Sequence, residues 1–287
     1  MHLLKSYFKA GNLRDDRNME EFIFFFLGKY NPYDHGTKPI FKFLDTSALR
    51  QELMDCDRSP RSIVAILLEN WARNHGKKRW GDKTTTRYAF EIEEMYSMFP
   101  RGKFIFVHRD PRGVCHSLMN AGWTKNYLEA AYMWHYLFRN TMKGLSAVSA
   151  SQRFEVRYED ICVMPREKLS QLCSFLGEEY APEMFEYFKK SDEVIANIKI
   201  EEIKRNVERE LIKNNYLKWR NHLSKEVMQT LEFVNSSFMR LCGYSTESES
   251  EHFTIPENLI QLTKVEFNRR QRVRARSLYD HLLSLKK

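Results

Sequence analysis

The sequence predicts an α/β fold, a parallel sheet flanked by helices, and three observations carry that reading. Phe104 to Val107 is a short β-branched and aromatic run, too short for a helix and suited to a strand buried on both faces. It leads straight into Asp110-Pro111, a capping residue followed by proline at the first helical position, where the missing N–H costs nothing. A second strand, Arg153 to Tyr158, is likewise followed by a helix, Pro165 to Leu176, which Gly177 stops. Strands alternating with helices imply parallel pairing, and ligands of such sheets bind at the C-terminal ends of the strands.

Taken in order, the chain opens with a helix over residues 1–30, clearest from Met19 to Gly28, where Phe22, Phe25 and Phe26 share a face. Gly36-Thr37-Lys38 is not a phosphate loop: the Walker order is reversed, Pro39 follows and no strand leads in. Thr46–Leu53 and Ser59–His75 read as helices, the second with Ile63, Ile66, Leu67 and Trp71 at helical spacing and Pro60 near its start. Arg79–Lys83 is expected to be a short strand and Ala89–Met98 a helix before the turn at Phe99-Pro100-Arg101-Gly102. Asn126–Ser149 is a long helix, Ile198–Leu223 a charged helical stretch, and Ser224–Leu241 a helix capped by Ser224. The expected organisation is a domain over residues 1–244, an acidic Ser/Glu linker over 245–257 and a basic helix over 258–287.

The composition of the 287 residues, 43% hydrophobic and 29% charged, is that of a globular chain and excludes global disorder. Of the net charge of +8, residues 264–287 hold +6, so the basicity belongs to the tail. The tail arginines 269, 270, 272, 274 and 276 are spread around the helix, a poor match to a groove-binding stripe, which argues against nucleic acid as a partner. Five cysteines without a C-x-x-C pair suggest neither a disulfide framework nor a zinc site. Cys115, Cys162 and Cys173 read as small core residues, and a reducing compartment, the cytoplasm, is the expectation. The longest apolar run, Phe22–Leu27, has six residues, against about 20 for a membrane span.

The chemistry concentrates where the central strand meets its helix. Free N–H groups and the positive end of the helix dipole converge there, and Arg109 adds a fork suited to phosphate or sulfate oxygens. Ser117, two turns on, can reach the same anion if the loop folds back. On these residues alone, a simple pairing of Arg109 with a neighbouring carboxylate stands level with anion binding. His108, His116 and His135 have no triad-like context and read as structural, and Trp219 reads as a packing residue.

Arg109-Asp110-Pro111-Arg112-Gly113-Val114 after a hydrophobic strand, with Ser117 eight residues beyond the first arginine, resembles the 3′-phosphate-binding segment of sulfotransferases that use 3′-phosphoadenylyl sulfate. Three further stretches resemble that family in its order: Trp80-Gly81-Asp82-Lys83-Thr84, then Arg157-Tyr158-Glu159-Asp160 with the helix to Gly177, then Lys218-Trp219-Arg220 with Leu241-Cys242-Gly243-Tyr244. The resemblance covers roughly residues 20–245. It implies a P-loop-like parallel sheet flanked by helices and transfer of a sulfo group to a hydroxyl or amine, with no metal. It also implies roles: Arg109 and Ser117 on the 3′-phosphate, Tyr158 near the nucleotide, Lys218 or Arg220 closing over it, Lys83 stabilising charge and Asp82 as base. At this stage a local Asp82–Lys83 ion pair and a core Tyr158 stay open as alternatives.

The family begins with a strand and a Gly-x-x-Arg-Ser-Gly-Thr-Thr-like loop for the 5′-phosphosulfate, and nothing like it precedes Trp80. The expectation is that this N-terminal strand and loop are missing from the sequence and lie upstream of Met1, since losing a central strand would leave apolar faces and edges unpaired. A non-catalytic relative that binds adenosine 3′,5′-bisphosphate or a partner, and a nucleic-acid or membrane-surface binder acting through the arginine-rich tail, are the alternatives. The acceptor, whether carbohydrate, lipid, small molecule or peptide, is not legible.

Overall fold

The computed structural model describes residues 11–27, 46–83, 91–190 and 214–247. These fall in two compact units, one ending at Pro100 and the other beginning at Arg101. The linker beyond Glu247, the basic tail, Gly36-Thr37-Lys38 and most of the charged stretch from Ile198 lie outside the described residues.

The first unit is helical. Its core joins Met19, Phe22 and Ile23 of α1 (Asp16–Leu27), Leu49 and Leu53 of α2 (Thr46–Asp55), and Ile63 and Leu67 of α3 (Pro60–Asn74), with Leu13 at one end. The α3 stripe is the one the spacing predicts, with Ile66 and Trp71 packed against the same core. Ser59 caps α3 by accepting the Ser62 N–H, and Pro60 occupies its first turn. A short helix, α4 (Ile92–Met98), follows later in the unit.

Arg79–Lys83 does not form the expected strand; it has no regular secondary structure. Three of its five residues are charged and a fourth is Gly81, so the segment offers no apolar face to bury, and Asp82 and Lys83 are exposed. Trp80 packs edge-on against Phe99 with ring centres 5.4 Å apart.

In the second unit, β1 (Phe104–His108) pairs in parallel with β2 (Arg153–Arg157), from Phe104 opposite Arg153 to His108 opposite Arg157. The connection runs through α5 (Pro111–Asn120) and α6 (Tyr127–Ser146), which pack on each other and on α9 (Lys225–Leu241). Asp110, Asn126 and Ser224 cap these three helices through their side chains, each accepting a first-turn N–H. After β2 come α7 (Tyr158–Val163) and α8 (Pro165–Leu176), which ends at Gly177 with φ of 74°. That is the left-handed cap that glycine adopts without a Cβ penalty. The described end of the charged stretch is a 3₁₀ segment, Asn215–Asn221, rather than an α-helix.

The core of this unit lies between the sheet and α5, α6 and α9, and contains Cys115, Ala131, Trp134, Phe138, Trp219 and Leu231. Phe106 of β1 faces it, 5.7 Å from the Phe138 ring. The other face of β1 is not buried as expected: Ile105 is 44% and Val107 50% exposed. The pairing explains this. Ile105 and Val107 lie opposite Phe154 and Val156 of β2, and α8 covers the β2 half of that face, with the Phe175 ring tilted against Phe154 at 5.5 Å. The cover does not extend over β1. Cys115, Cys162 and Cys173 are buried, as small core residues should be, and burial pushes the Cys115 and Cys162 thiols up. Among the described residues no helix is long and apolar enough to cross a membrane.

Candidate functional site

Arg109 stands between the end of β1 and the start of α5, and its guanidinium is held on three sides. Its carbon lies 4.8 Å from the centre of the Tyr158 ring, the first residue after β2. Its Nη2 makes a long 3.5 Å bond to the Asn215 carbonyl. Below it is Gly113, where an added Cβ would come within 3.0 Å of Arg109 Nε and 3.2 Å of Nη2. The Nε itself is buried and has no hydrogen-bond partner among the described residues. A buried N–H of a cation without an acceptor is costly, and among the described residues no carboxylate takes the role that the pairing alternative gave it.

The neighbours are fixed independently of Arg109. Asn215 Nδ2 donates to the Tyr158 hydroxyl at 3.4 Å, and burial raises the Tyr158 phenol above its ordinary pKa. The Asp110 N–H donates to Glu159 Oε1 at 3.0 Å. Glu159 Oε2 accepts the Tyr244 hydroxyl at 2.9 Å, and the same hydroxyl lies 3.2 Å from His108 Nδ1. Burial, and then the nearby Glu159 carboxylate, raise the Tyr244 phenol, while burial and Arg157 lower the His108 imidazole. The two loose ends of the strand pair are thereby tied together beside Arg109.

Arg109, Gly113 and Ser117 are spaced four residues apart, on one line along the start of α5. Ser117 is exposed, and its hydroxyl donates to the Gly113 carbonyl at 3.0 Å. Lys218 and Arg220 are exposed on the 3₁₀ segment that carries Asn215. Arg220 is engaged by Glu247 at 2.6 Å. Trp219, between them, is 2% exposed and is a packing residue, as its context predicts. Asp82 and Lys83 belong to the first unit. The second unit thus brings Arg109, Tyr158 and the 215–221 segment together, with Ser117 one turn beyond Gly113.

Comparison with known proteins bears on this arrangement. A model of the sulfotransferase family matches residues 31–182, more than half of the chain.

The chain belongs to the sulfotransferase family.

It is 22% identical over 232 residues to protein-tyrosine sulfotransferase 2 of Gallus gallus, covering 76% of this chain and 59% of that protein. It is also 22% identical over 177 residues to a putative protein-tyrosine sulfotransferase of Caenorhabditis briggsae, covering 58% of this chain and 61% of that one. The chain therefore spans about three fifths of the length of these curated relatives. Among solved structures, the sulfotransferase domain from the Synechococcus PCC 7002 olefin synthase superposes with a TM-score of 0.54 at 16% identity, over 83% of this chain and 78% of that one. That likeness is one of fold, and it agrees with the α/β architecture that the sequence predicts.

Several residues around Arg109 are given no role by the sequence reading, although most of them lie within its motifs. Gly113 and Asn215 border Arg109, and Glu159 and Tyr244 hold the junction. Arg112 is buried at 2% exposure between Asp110 and Glu232. One signal could have pointed to Arg112: a cation in the first turn of a helix opposes the dipole and needs a carboxylate partner.

Proposed function

We propose that this protein is a sulfotransferase that moves a sulfo group from 3′-phosphoadenylyl sulfate to a hydroxyl or amine acceptor, and that Arg109 grips the 3′-phosphate of the donor. The observation that carries this reading is the buried, unpartnered Nε of Arg109 on a guanidinium clamped by Tyr158 and Gly113. A phosphate oxygen is the partner that the geometry lacks, and a guanidinium serves it with two parallel N–H donors. When bound, the donor supplies an activated sulfo group and a nucleotide leaving group.

The other assignments are those that the family resemblance implies, and they belong to the same proposal. Ser117, one turn from Gly113, adds a hydroxyl donor on the same line. Tyr158 presents its ring face to the Arg109 cation and holds it in place. Lys218 and Arg220 lie on the segment that closes this site. Lys83 stands as the charge stabiliser for the transferred group and Asp82 as the base. Two relatives bear the name protein-tyrosine sulfotransferase, so the acceptor we put first is a tyrosyl hydroxyl in a peptide. We place the protein in the cytoplasm, a reading supported by its five free thiols.

The test is calorimetric titration with adenosine 3′,5′-bisphosphate and with adenosine 5′-phosphate. Arg109→Ala should weaken the first by about 1.5–3 kcal/mol and leave the second nearly unchanged. Equal losses for both ligands would make Arg109 a structural residue and end this reading. Transfer is tested by incubation with labelled 3′-phosphoadenylyl sulfate and tyrosine-containing peptides. Label on serine or on a carbohydrate acceptor, but not on tyrosine, would overturn the acceptor assignment alone.

A further inference from the structure

Arg112 carries a buried charge that the donor-binding reading does not use. Its Nη2 and Nε donate to Asp110 at 2.7 and 3.0 Å, and Nη1 donates to Glu232 Oε1 at 2.6 Å. Its guanidinium carbon lies 4.2 Å above the centre of the Trp219 ring. Arg112, Asp110 and Glu232 are exposed by 2%, 5% and 1%. Glu232 also accepts the Glu247 N–H, at 3.0 and 3.2 Å. One planar cation therefore joins the start of α5, the 3₁₀ segment, α9 and the chain that follows it.

We infer that Arg112 is the positioning residue for the 3′-phosphate grip of Arg109, an inference that rests on the donor-binding role proposed for Arg109. Two connections lead from one arginine to the other. Through Asp110, Arg112 fixes the residue next to Arg109, whose N–H is held from the other side by Glu159. Through Trp219, it fixes the segment whose Asn215 carbonyl accepts from Arg109. Trp219 and Arg109 also meet at one point: the position of a Cβ on Gly113 is 3.2 Å from Trp219 Cδ1 and 3.0 Å from Arg109 Nε. Moving the tryptophan by a few tenths of an ångström changes the space in which Arg109 lies.

The role demands arginine. Two N–H groups serve one carboxylate, a third serves another, and the flat face stacks on indole. A lysine keeps the charge but cannot make the fork and the stack together. The Arg112–Asp110–Glu232 set contributes little net stability if the desolvation of three charges offsets their attraction. Its consequence is then geometric, a single placement of Arg109 before any ligand arrives.

The experiment measures the ratio of affinities for adenosine 3′,5′-bisphosphate and adenosine 5′-phosphate, well below the melting temperature of each variant. A merely structural residue would lower the melting temperature and leave this ratio alone. In Arg112→Lys the ratio should fall at least tenfold although Arg109 is intact, and in Glu232→Gln by about threefold. An unchanged ratio in folded Arg112→Lys overturns the inference. If Arg112→Lys does not fold, Glu232→Gln decides: a reduced ratio supports the inference and an unchanged one overturns it. A wild-type protein without preference for the 3′-phosphate, or an Arg109→Ala variant that keeps it, overturns the donor-binding reading and this inference with it. A preference lost in Arg109→Ala but kept in Arg112→Lys overturns only the positioning role.

Discussion

Gly113 and Arg109 fit each other as floor and guest: the space above the glycine Cα is filled by the guanidinium, whose Nε would be 3.0 Å from any Cβ placed there. The side chain at 113 is absent because the cation occupies its volume.

Gly113→Ala tests that fit. Alanine is the better helix former by up to about 1 kcal/mol, but it must displace Arg109 or the buried Trp219, an overpacking cost of about 1–3 kcal/mol. The expected result is a melting temperature equal to or below the wild type, with affinity for adenosine 3′,5′-bisphosphate reduced about tenfold. A more stable variant with full affinity would show that the guanidinium is not seated on Gly113.

Tyr158 should be replaceable by phenylalanine and not by alanine. Its ring face meets the Arg109 cation at 4.8 Å, a contact worth roughly 0.5–2 kcal/mol depending on desolvation. Its hydroxyl makes two weak contacts, a long 3.4 Å bond from Asn215 and a hydrogen bond with the Cys162 thiol. Calorimetry should show bisphosphate affinity nearly unchanged in Tyr158→Phe and reduced about three- to thirtyfold in Tyr158→Ala.

Glu247→Gln releases Arg220 from a half-exposed ion pair. The stability change should be within about 1 kcal/mol, the usual range for such pairs. Freed of its carboxylate, Arg220 should raise the affinity for adenosine 3′,5′-bisphosphate. The gain should shrink as salt is added. Titrations at low and high ionic strength check both parts.

Acid should destabilise the second unit in two stages. His108 and His135 are held below the ordinary imidazole value of 6.5, chiefly by burial. The unfolded chain binds their protons first, so the contribution of these two histidines is fully present above 6.5 and declines as pH falls from there through the folded values. Asp160, held below 3.8 chiefly by its bond to Arg157, adds a second decline below that pH. Denaturant titrations across pH 3–8 should show both steps, and His108→Gln should flatten the first.

What could be read from the sequence was local. Asp110, Asn126 and Ser224 cap their helices and Gly177 ends another because each acts within a few residues of itself. The strand-to-helix junction at Arg109 was legible for the same reason, since an apolar strand running into Asp-Pro fixes where the helix begins. The rest of the site comes from far along the chain. Asn215 lies 106 residues from Arg109 and Glu232 lies 120 from Arg112, separations that no periodicity encodes. The open face at Ile105 and Val107 was misjudged because composition tells that a strand is apolar, not how far the neighbouring helix reaches. The Arg79–Lys83 segment failed as a strand because its likeness to a strand end lay in motif order and not in any apolar pattern.

The parallel ladder between β1 and β2 has a kinetic consequence. Its register, His108 opposite Arg157, can form only after α5 and α6 have folded back, so the loop-closure entropy of that whole crossover is spent before the first ladder bond returns anything. Arg109 and Tyr158 follow directly on these two strands, so the phosphate grip proposed for Arg109 requires the closed ladder. Nucleotide can therefore act only late on the folding route. It should leave the refolding rate almost unchanged and slow the unfolding rate in proportion to its occupancy, making bound protein long-lived rather than quick to form.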